Sequence, residues 1–133
     1  STPYPRVKND PRDPVVINRN MRDISKTALG AEATVLVEYF SDSDDAINRL
    51  RSENMAIYAL EQTAKSQNLL NNTPPLPAAL VVGNEVNGVQ KSALELCDEV
   101  YEIPQRGEKE SLNVSVATGI AVYKLLEASL KTG

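Results

Sequence analysis

Short apolar runs alternate with more polar, amphipathic segments from residue 34 to the end of the chain. Four of the runs predict strands, because they are short and rich in β-branched or other apolar residues. They cover residues 34–40, 55–60, 78–82 and 99–103. The first run fits a strand or an extended segment. The second and third are typical of the buried strands of a parallel sheet, and the fourth is a further strand that ends at Pro104.

Amphipathic segments between the runs predict two helices. The first begins with Ser41 or Ser43 as its N-terminal cap, and it ends near Asn54. Its apolar face is formed by Ala46, Ile47 and Leu50. The second helix is short and covers residues 90–97. Residues 64–77 are polar and then proline-bearing, so they are predicted to form a loop.

A long third helix is predicted to begin at Ser111, with the serine hydroxyl as its cap. Apolar residues recur along it at helical spacing. They are Leu112, Val116, Ile120, Tyr123 and Leu130, and Val114, Ala117, Ala121 and Leu125 broaden the same stripe.

The order of these elements predicts an α/β fold with a mostly parallel sheet and flanking helices. Ligands of such sheets bind at the carboxyl ends of the strands. The loops that leave those ends follow Leu60, Val82 and Ile103. We therefore expect a binding site where these three loops meet.

Residues 1–33 differ in composition from the rest of the chain. Four of the eight prolines lie in the first 14 residues, which excludes a helix interior or a central strand there. Six basic side chains lie in the first 26 residues. The segment is therefore predicted to be extended, and its charges form either a solvated surface or an arm that faces a partner.

The overall composition excludes several classes of function. The chain has no histidine and one cysteine, Cys97, so histidine catalysis, histidine-ligated metals and an intrachain disulfide are excluded. The length of 133 residues predicts a single domain. We expect no membrane span, because no apolar run approaches about 18 residues. The single cysteine fits a reducing compartment, so we expect a cytoplasmic location. The net charge of −4 argues mildly against a domain that grips nucleic acid by itself.

Two of the three loops carry longer motifs. Residues 83–88 read G-N-E-V-N-G directly after a buried strand, and residues 103–117 read I-P-Q-R-G-E-K-E-S-L-N-V-S-V-A. These resemble the second and third motifs of the SpoU, or TrmH-type, RNA ribose 2′-O-methyltransferases, with Gln105 where methionine is usual. Residues 24–32, I-S-K-T-A-L-G-A-E, resemble a segment of one subgroup of that family.

The resemblance implies a SPOUT-type α/β fold whose C-terminal segment forms a trefoil knot. It also implies S-adenosylmethionine as cofactor, tRNA or rRNA as substrate, a homodimer and no metal. The reaction would be methyl transfer to a ribose 2′-hydroxyl, which depends on holding the methyl group in line with the oxygen.

The resemblance assigns roles to nine residues. The predicted cofactor-binding residues are Leu60, Gly83, Asn84, Ile103 and Leu112. The predicted catalytic residues are Glu85, Ser111 and Asn113, and Arg106 is the predicted RNA contact. Structural roles compete with these assignments: Leu60 fits the core, Ser111 fits a helix cap, and Arg106 fits a solvated loop.

The first family motif, N-x-G-A/S-I-x-R-T-A, is not found. The nearest segment, residues 20–28, has Lys26 in place of the arginine usually assigned to activating the 2′-hydroxyl. We expect that the domain begins before Ser1, although a natural variant without that arginine fits as well. Two other hypotheses stay open: a non-catalytic domain that binds cofactor or RNA, and a flavodoxin-like ligand-binding or interaction module.

Overall fold

The computed structural model describes residues 35–84, 86–105 and 113–132. The contacts divide the chain into two units, Ser1–Ser41 and Asp42–Gly133. In the first unit, residues 35–41 are described, and Glu38 is their one β-bridge residue. These described residues form no strand, which agrees with the extended alternative for this run. The single-domain organisation stays a prediction.

The second unit contains a four-stranded sheet. Its elements are α1 (Ser43–Ser52), β1 (Ala56–Leu60), β2 (Gln67–Asn68), a 3-10 turn (Leu69–Asn71), β3 (Ala78–Val82), α2 (Lys91–Leu96), β4 (Glu99–Glu102) and α3 (Val114–Thr132). The strand order is β2-β4-β1-β3, and every pairing in this sheet is parallel. The prediction of an α/β fold with a mostly parallel sheet is confirmed.

Side chains of the strands alternate between two cores. On one face, Ile57 packs with Ile47 of α1 and Ala93 of α2. On the other face, Tyr58 and Tyr101 pack with Leu69 and with Ala121 of α3. Because β1 lies inside the sheet, it is buried from both sides, which explains its nearly continuous apolar sequence.

The short strand β2 and the 3-10 turn lie within residues 64–77, where the sequence predicted only loop. The strand consists of Gln67 and Asn68, which pair with Tyr101 and Glu102 of β4. Two polar residues carry no apolar pattern, so this edge strand depends on its tertiary neighbour rather than on its own sequence.

The first helix is capped by Asp42, so the predicted caps Ser41 and Ser43 are wrong. The Asp42 carboxylate accepts the Asp44 N–H at 2.9 Å. Its end agrees with the prediction, because Asn54 follows the helix with a φ of 63°, a left-handed conformation that asparagine tolerates.

Asp98 connects the start of β4 to β1 and to α1. Its carboxylate accepts the Ile57 N–H at 2.7 Å and the Arg51 Nη1 at 2.9 Å, and Arg51 also donates to the Leu96 carbonyl. The backbone hydrogen bond from Ile57, followed by the hydrogen bond from Arg51, lowers the pKa of Asp98 below its ordinary value.

The last helix begins at Val114, later than the predicted start at Ser111, and Asn113 is its cap. The Asn113 Oδ1 accepts the Ser115 N–H at 2.8 Å, and its carbonyl accepts the Ala117 N–H at 2.9 Å. The predicted apolar stripe divides into two faces. Ala121 faces the sheet, whereas the exposed face carries Val116, Ile120, Tyr123 and Leu130.

Two further features complete the fold. In the part of the chain that the structure describes, no helix has the length and apolar character needed to cross a bilayer. The trefoil knot that the resemblance implies for the C-terminal segment is not tested by the described residues, and it stays a prediction.

Candidate functional site

A cavity of about 650 Å³ lies at the carboxyl ends of β1, β3 and β4. This is the edge of the sheet where the sequence predicted a binding site, and the volume lies within the usual range for small-molecule sites. Four apolar residues form part of its wall: Leu60, Val82 and Ile103 at or just after the strand ends, and Val89 at the end of the loop that follows β3. The start of α3 closes it on a further side, with Asn113, Val114 and Ala117.

The loop after β3 folds back tightly on itself. A side chain at Gly83 would overlap the backbone of Gly88 and Val89. Asn84 holds the turn, because its Oδ1 accepts the Val86 and Asn87 N–H groups at 2.9 and 2.6 Å and its carbonyl accepts the Gly88 N–H at 3.1 Å. Glycine at position 83 therefore permits a close approach of two backbone segments.

The residue after β1, Glu61, connects this loop to the rest of the sheet. Its Oε2 accepts the Val89 N–H at 3.0 Å, and its own N–H donates to the Tyr101 carbonyl at 3.0 Å. Gly88 lies directly against the carboxylate, with a φ of 66°. The ends of β1 and β4 and the loop after β3 are thus joined at one residue.

A small hydroxyl network shapes the turn that follows Glu61. The Ser66 Oγ donates to the Glu61 carbonyl at 2.7 Å and accepts the Thr63 N–H at 2.8 Å. The Thr63 hydroxyl lies 2.9 Å from the Ser66 Oγ and accepts the Lys65 N–H at 3.2 Å. The turn therefore has a defined shape, and it places Gln62 on the cavity wall.

The structure brings together five of the nine residues to which the sequence assigned a role. They are Leu60, Gly83, Asn84, Ile103 and Asn113, which all line the cavity. The others, Glu85, Arg106, Ser111 and Leu112, lie outside the described residues, so their positions stay predictions.

Sequence reasoning missed several lining residues: Glu61, Gln62, Gly88, Val89, Glu102 and Gln105. Their positions at and just after the strand ends were a usable signal for Glu61 and Glu102, because the same argument identified Leu60 and Ile103. The contact between Glu61 and Val89 had no such signal, since the two residues are separated by 28 positions.

The tyrosines beneath the cavity act by packing. The rings of Tyr58 and Tyr101 meet edge to face with centroids 5.5 Å apart, and the Tyr58 hydroxyl donates to the Pro75 carbonyl at 2.7 Å. Burial raises the pKa of both phenols, and the nearby carboxylate of Glu99 raises both further. The phenols therefore stay neutral near pH 7.

The charges on the described cavity wall are negative. Glu61 and Glu102 carry them, and no lysine or arginine occurs among the described lining residues. The described ranges contain no group of three or more histidine, cysteine, aspartate or glutamate side chains placed to hold a metal ion. The other polar side chains on the described wall are amides, among them Gln62, Asn84 and Asn113.

Comparison with known proteins identifies the family. The model of the SpoU rRNA Methylase family matches residues 13–123. The chain belongs to the SpoU rRNA methylase family. The match includes the loop after β3 and the start of α3, the two segments that carry the motifs.

Individual SpoU-family relatives agree with this membership. A tRNA (guanosine(18)-2′-O)-methyltransferase of Borreliella burgdorferi is 34% identical over 98 residues, which cover 74% of this chain and 45% of the relative. A 23S rRNA (guanosine-2′-O-)-methyltransferase of Xylella fastidiosa is 35% identical over 115 residues, which cover 86% of this chain and 45% of the relative. The chain thus spans about half the length of these curated relatives.

Solved structures share the fold. The crystal structure of an AdoMet-bound rRNA methyltransferase from Sinorhizobium meliloti superposes with a TM-score of 0.72 at 23% sequence identity. The superposition covers 88% of this chain and 42% of that one. The parallel sheet and flanking helices therefore have the same fold as that structure.

Proposed function

We propose that this SpoU-family chain transfers a methyl group from S-adenosylmethionine to a ribose 2′-hydroxyl of tRNA or rRNA. The observation that carries the proposal is the single cavity wall formed by residues from both motifs. Gly83 and Asn84 come from the second motif, and Ile103 and Asn113 come from the third. The named relatives act on tRNA and on 23S rRNA, which supports RNA as the substrate class.

The cavity wall fits S-adenosylmethionine in size and chemistry. The apolar side chains of Leu60, Val82 and Ile103 suit the faces of the adenine ring. The carboxylates of Glu61 and Glu102 make the described wall negative, which favours a ligand with a positive sulfonium. When bound, the sulfonium supplies an electrophilic methyl group.

The chain's own residues would hold the ribose and the donor in line. Asn113 lies on the cavity wall at the start of α3, where its amide N–H₂ is available for a hydrogen bond while its Oδ1 caps the helix. We assign Glu85 and Ser111 to the same task, Leu112 to cofactor binding and Arg106 to an RNA phosphate, on the strength of the motifs alone.

The transfer can be tested directly. The chain would be incubated with S-adenosylmethionine tritiated on its methyl group and with total tRNA or rRNA. We expect the RNA to become labelled. After alkaline hydrolysis the label should remain in a dinucleotide, because a methylated 2′-oxygen cannot attack the neighbouring phosphate. A matched DNA oligonucleotide, which lacks the 2′-hydroxyl, should stay unlabelled. If no tritiated methyl group were incorporated into any RNA, the proposed transfer would be wrong.

A second candidate is a domain that binds cofactor or RNA without transferring the methyl group. It is favoured by the lack of an arginine among the described lining residues and by Lys26 in the nearest match to the first motif. Binding of S-adenosylhomocysteine without incorporation would support it. A flavodoxin-like module, by contrast, would bind neither the cofactor nor its product.

We further propose that the chain forms a homodimer in the cytoplasm, where tRNA and rRNA are available. The exposed face of α3 supports the dimer. Tyr123 is 68% exposed and Leu130 is 56% exposed on this face. Leu70, on the turn after β2, lies beside Ile120 and Tyr123 and extends the apolar surface. A surface of this kind gains free energy when a second copy covers it.

A further inference from the structure

We propose that Glu61 is a positioning residue for the cofactor, acting through the loop of residues 83–89. This inference rests on the methyltransferase function proposed above, and it assigns a task to a side chain outside both motifs. Glu61 would hold the end of the loop in the conformation that the cofactor needs, rather than take part in the chemistry.

Glu61 lies where β1, β4 and the loop after β3 meet. It follows the last residue of β1, and its N–H donates to the Tyr101 carbonyl of β4. Its side chain reaches in the other direction, to the end of the loop that follows β3, where Oε2 accepts the Val89 N–H at 3.0 Å. One residue therefore connects the three chain segments that form the cavity.

The end of the loop, at Gly88 and Val89, packs against the Glu61 carboxylate. A side chain at Gly88 would overlap the Glu61 Oε2, and the φ of 66° at Gly88 also favours glycine. Val89 is 8% exposed and belongs to the core that contains Ile57. The end of the loop is therefore held by a core side chain and by a hydrogen bond to a carboxylate.

Glu61 is itself held in place by hydrogen bonds to its backbone and its side chain. The Ser66 hydroxyl donates to its carbonyl at 2.7 Å, and its Oε1 accepts the Gln62 N–H at 3.1 Å. Both carboxylate oxygens therefore accept a backbone N–H, and hydrogen bonds from N–H groups to an ionised carboxylate are stronger than neutral ones. A side chain fixed in this way can transmit its position to the loop.

The consequence for binding is preorganisation. If the loop is already in its bound conformation, the ligand does not have to order it, and affinity rises accordingly. Without the carboxylate, the Val89 N–H loses its partner and the loop opens more often. We therefore expect a higher Kd and a higher KM for the cofactor, with a smaller change in kcat.

The experiment compares the full chain with Glu61→Ala and Glu61→Gln. S-adenosylhomocysteine is titrated calorimetrically, and exchange of the Val89 amide is followed by NMR without ligand. We expect Glu61→Ala to weaken binding about tenfold and to speed exchange at Val89 by a similar factor. Glu61→Gln should recover part of both effects, because its amide oxygen can accept the Val89 N–H but its amide N–H₂ cannot accept the Gln62 N–H.

Glu95→Ala is the matched control, since Glu95 is exposed on α2 and does not line the cavity. It should leave both the affinity and the Val89 exchange unchanged. The amide of Ala59, a fully buried residue of the internal strand β1, reports global stability in every variant. A change confined to Val89 and its neighbours separates loop positioning from a general loss of stability.

Two results would decide against the proposal, and a third would separate it from the proposed function. Unchanged affinity in Glu61→Ala would remove the positioning role and leave the methyltransferase function standing. Weakened affinity with unchanged exchange at Val89 would make Glu61 a direct ligand contact instead. If the unaltered chain bound no S-adenosylhomocysteine, the proposed function would be wrong. The exchange data would still test Glu61 separately: slow exchange of the Val89 amide that becomes fast in Glu61→Ala would support the role of Glu61 in holding the loop.

Discussion

The backbone of Gly88 occupies the space that a side chain at Gly83 would need. The two glycines therefore close the loop after β3 by direct backbone contact, and Asn84 joins the same turn through its bridge to Gly88. A side chain cannot be added at Gly83 without moving the Gly88 segment, because backbone atoms cannot move aside as a flexible side chain can. This contact defines the shape of one wall of the cavity.

Gly83→Ala should therefore disrupt the cavity. We expect the loop to open, and the affinity for S-adenosylhomocysteine to fall about tenfold or more, since the overlap is with backbone rather than with a side chain. Isothermal titration calorimetry measures the loss. Wild-type affinity in the variant would show that the loop adapts without affecting the site.

Gly119→Ala is the control for that experiment. An added Cβ at Gly119 meets nothing within 4 Å, and the residue lies inside α3. We expect the unfolding free energy to rise by about 0.5–1 kcal/mol, because alanine favours a helix interior more than glycine does. Chemical denaturation checks this, and binding of S-adenosylhomocysteine should not change.

Asn113 has two tasks that substitutions can separate. Asn113→Ala removes the cap of α3 and should lower the unfolding free energy by about 1 kcal/mol, and it should also lower methyl transfer. Asn113→Ser restores a capping oxygen but not the amide N–H₂. We expect it to recover stability, measured by urea denaturation, without recovering transfer of tritiated methyl groups.

If Asn113→Ser recovered both stability and transfer, capping alone would explain the effect of Asn113→Ala. If neither recovered, the serine would be a poor cap at this position, and Asn113→Asp would be the next comparison. Both outcomes are read against Ser115→Ala, which changes an exposed side chain in the same helical turn.

Asp98 should make stability depend on pH in the acid range. Its folded-state pKa is lowered, so its contribution is complete above the unfolded-state pKa of about 3.9 and is lost as the pH falls through the lower folded-state value. Asp98→Asn should cost about 1 kcal/mol at pH 7, a modest value because the side chain is 41% exposed.

The measurement is urea denaturation of both proteins from pH 7 down to pH 2.5. The difference between them should shrink only below about pH 4, where the wild-type carboxylate takes up its proton. Glu95→Gln, which changes an exposed carboxylate on α2, should show no such difference. A constant gap between wild type and Asp98→Asn across the range would contradict the assignment of the effect to ionisation.

The exposed face of α3 should control the oligomeric state. Tyr123→Lys places a charge in the middle of the apolar surface formed with Ile120 and Leu70, where burial would be costly. We expect sedimentation velocity to show a dimer for the unaltered chain and a monomer for the variant. Glu95→Lys on α2 is the control for an added positive charge, and a monomeric unaltered chain would overturn the dimer.

The amino-acid sequence determined the positions of β1, β3 and β4, because β1 and β3 are short apolar runs and β4 carries two strand-forming residues, Val100 and Tyr101, all of which are local properties of the chain. It also determined the ligand-binding edge of the sheet, since parallel strands place their carboxyl ends together. Leu60, Gly83 and Ile103 were predicted for this edge, and the structure brings them to one cavity.

Only the tertiary structure decided the contacts between distant segments. The pairing of Gln67 with Tyr101, the hydrogen bond from Val89 to Glu61 and the choice of the Ala121 face of α3 as the buried face all depend on neighbours far along the chain. A local pattern shows that a residue is apolar or polar, but it does not show which partner the strand order brings within reach. Such contacts arise only when the elements pack.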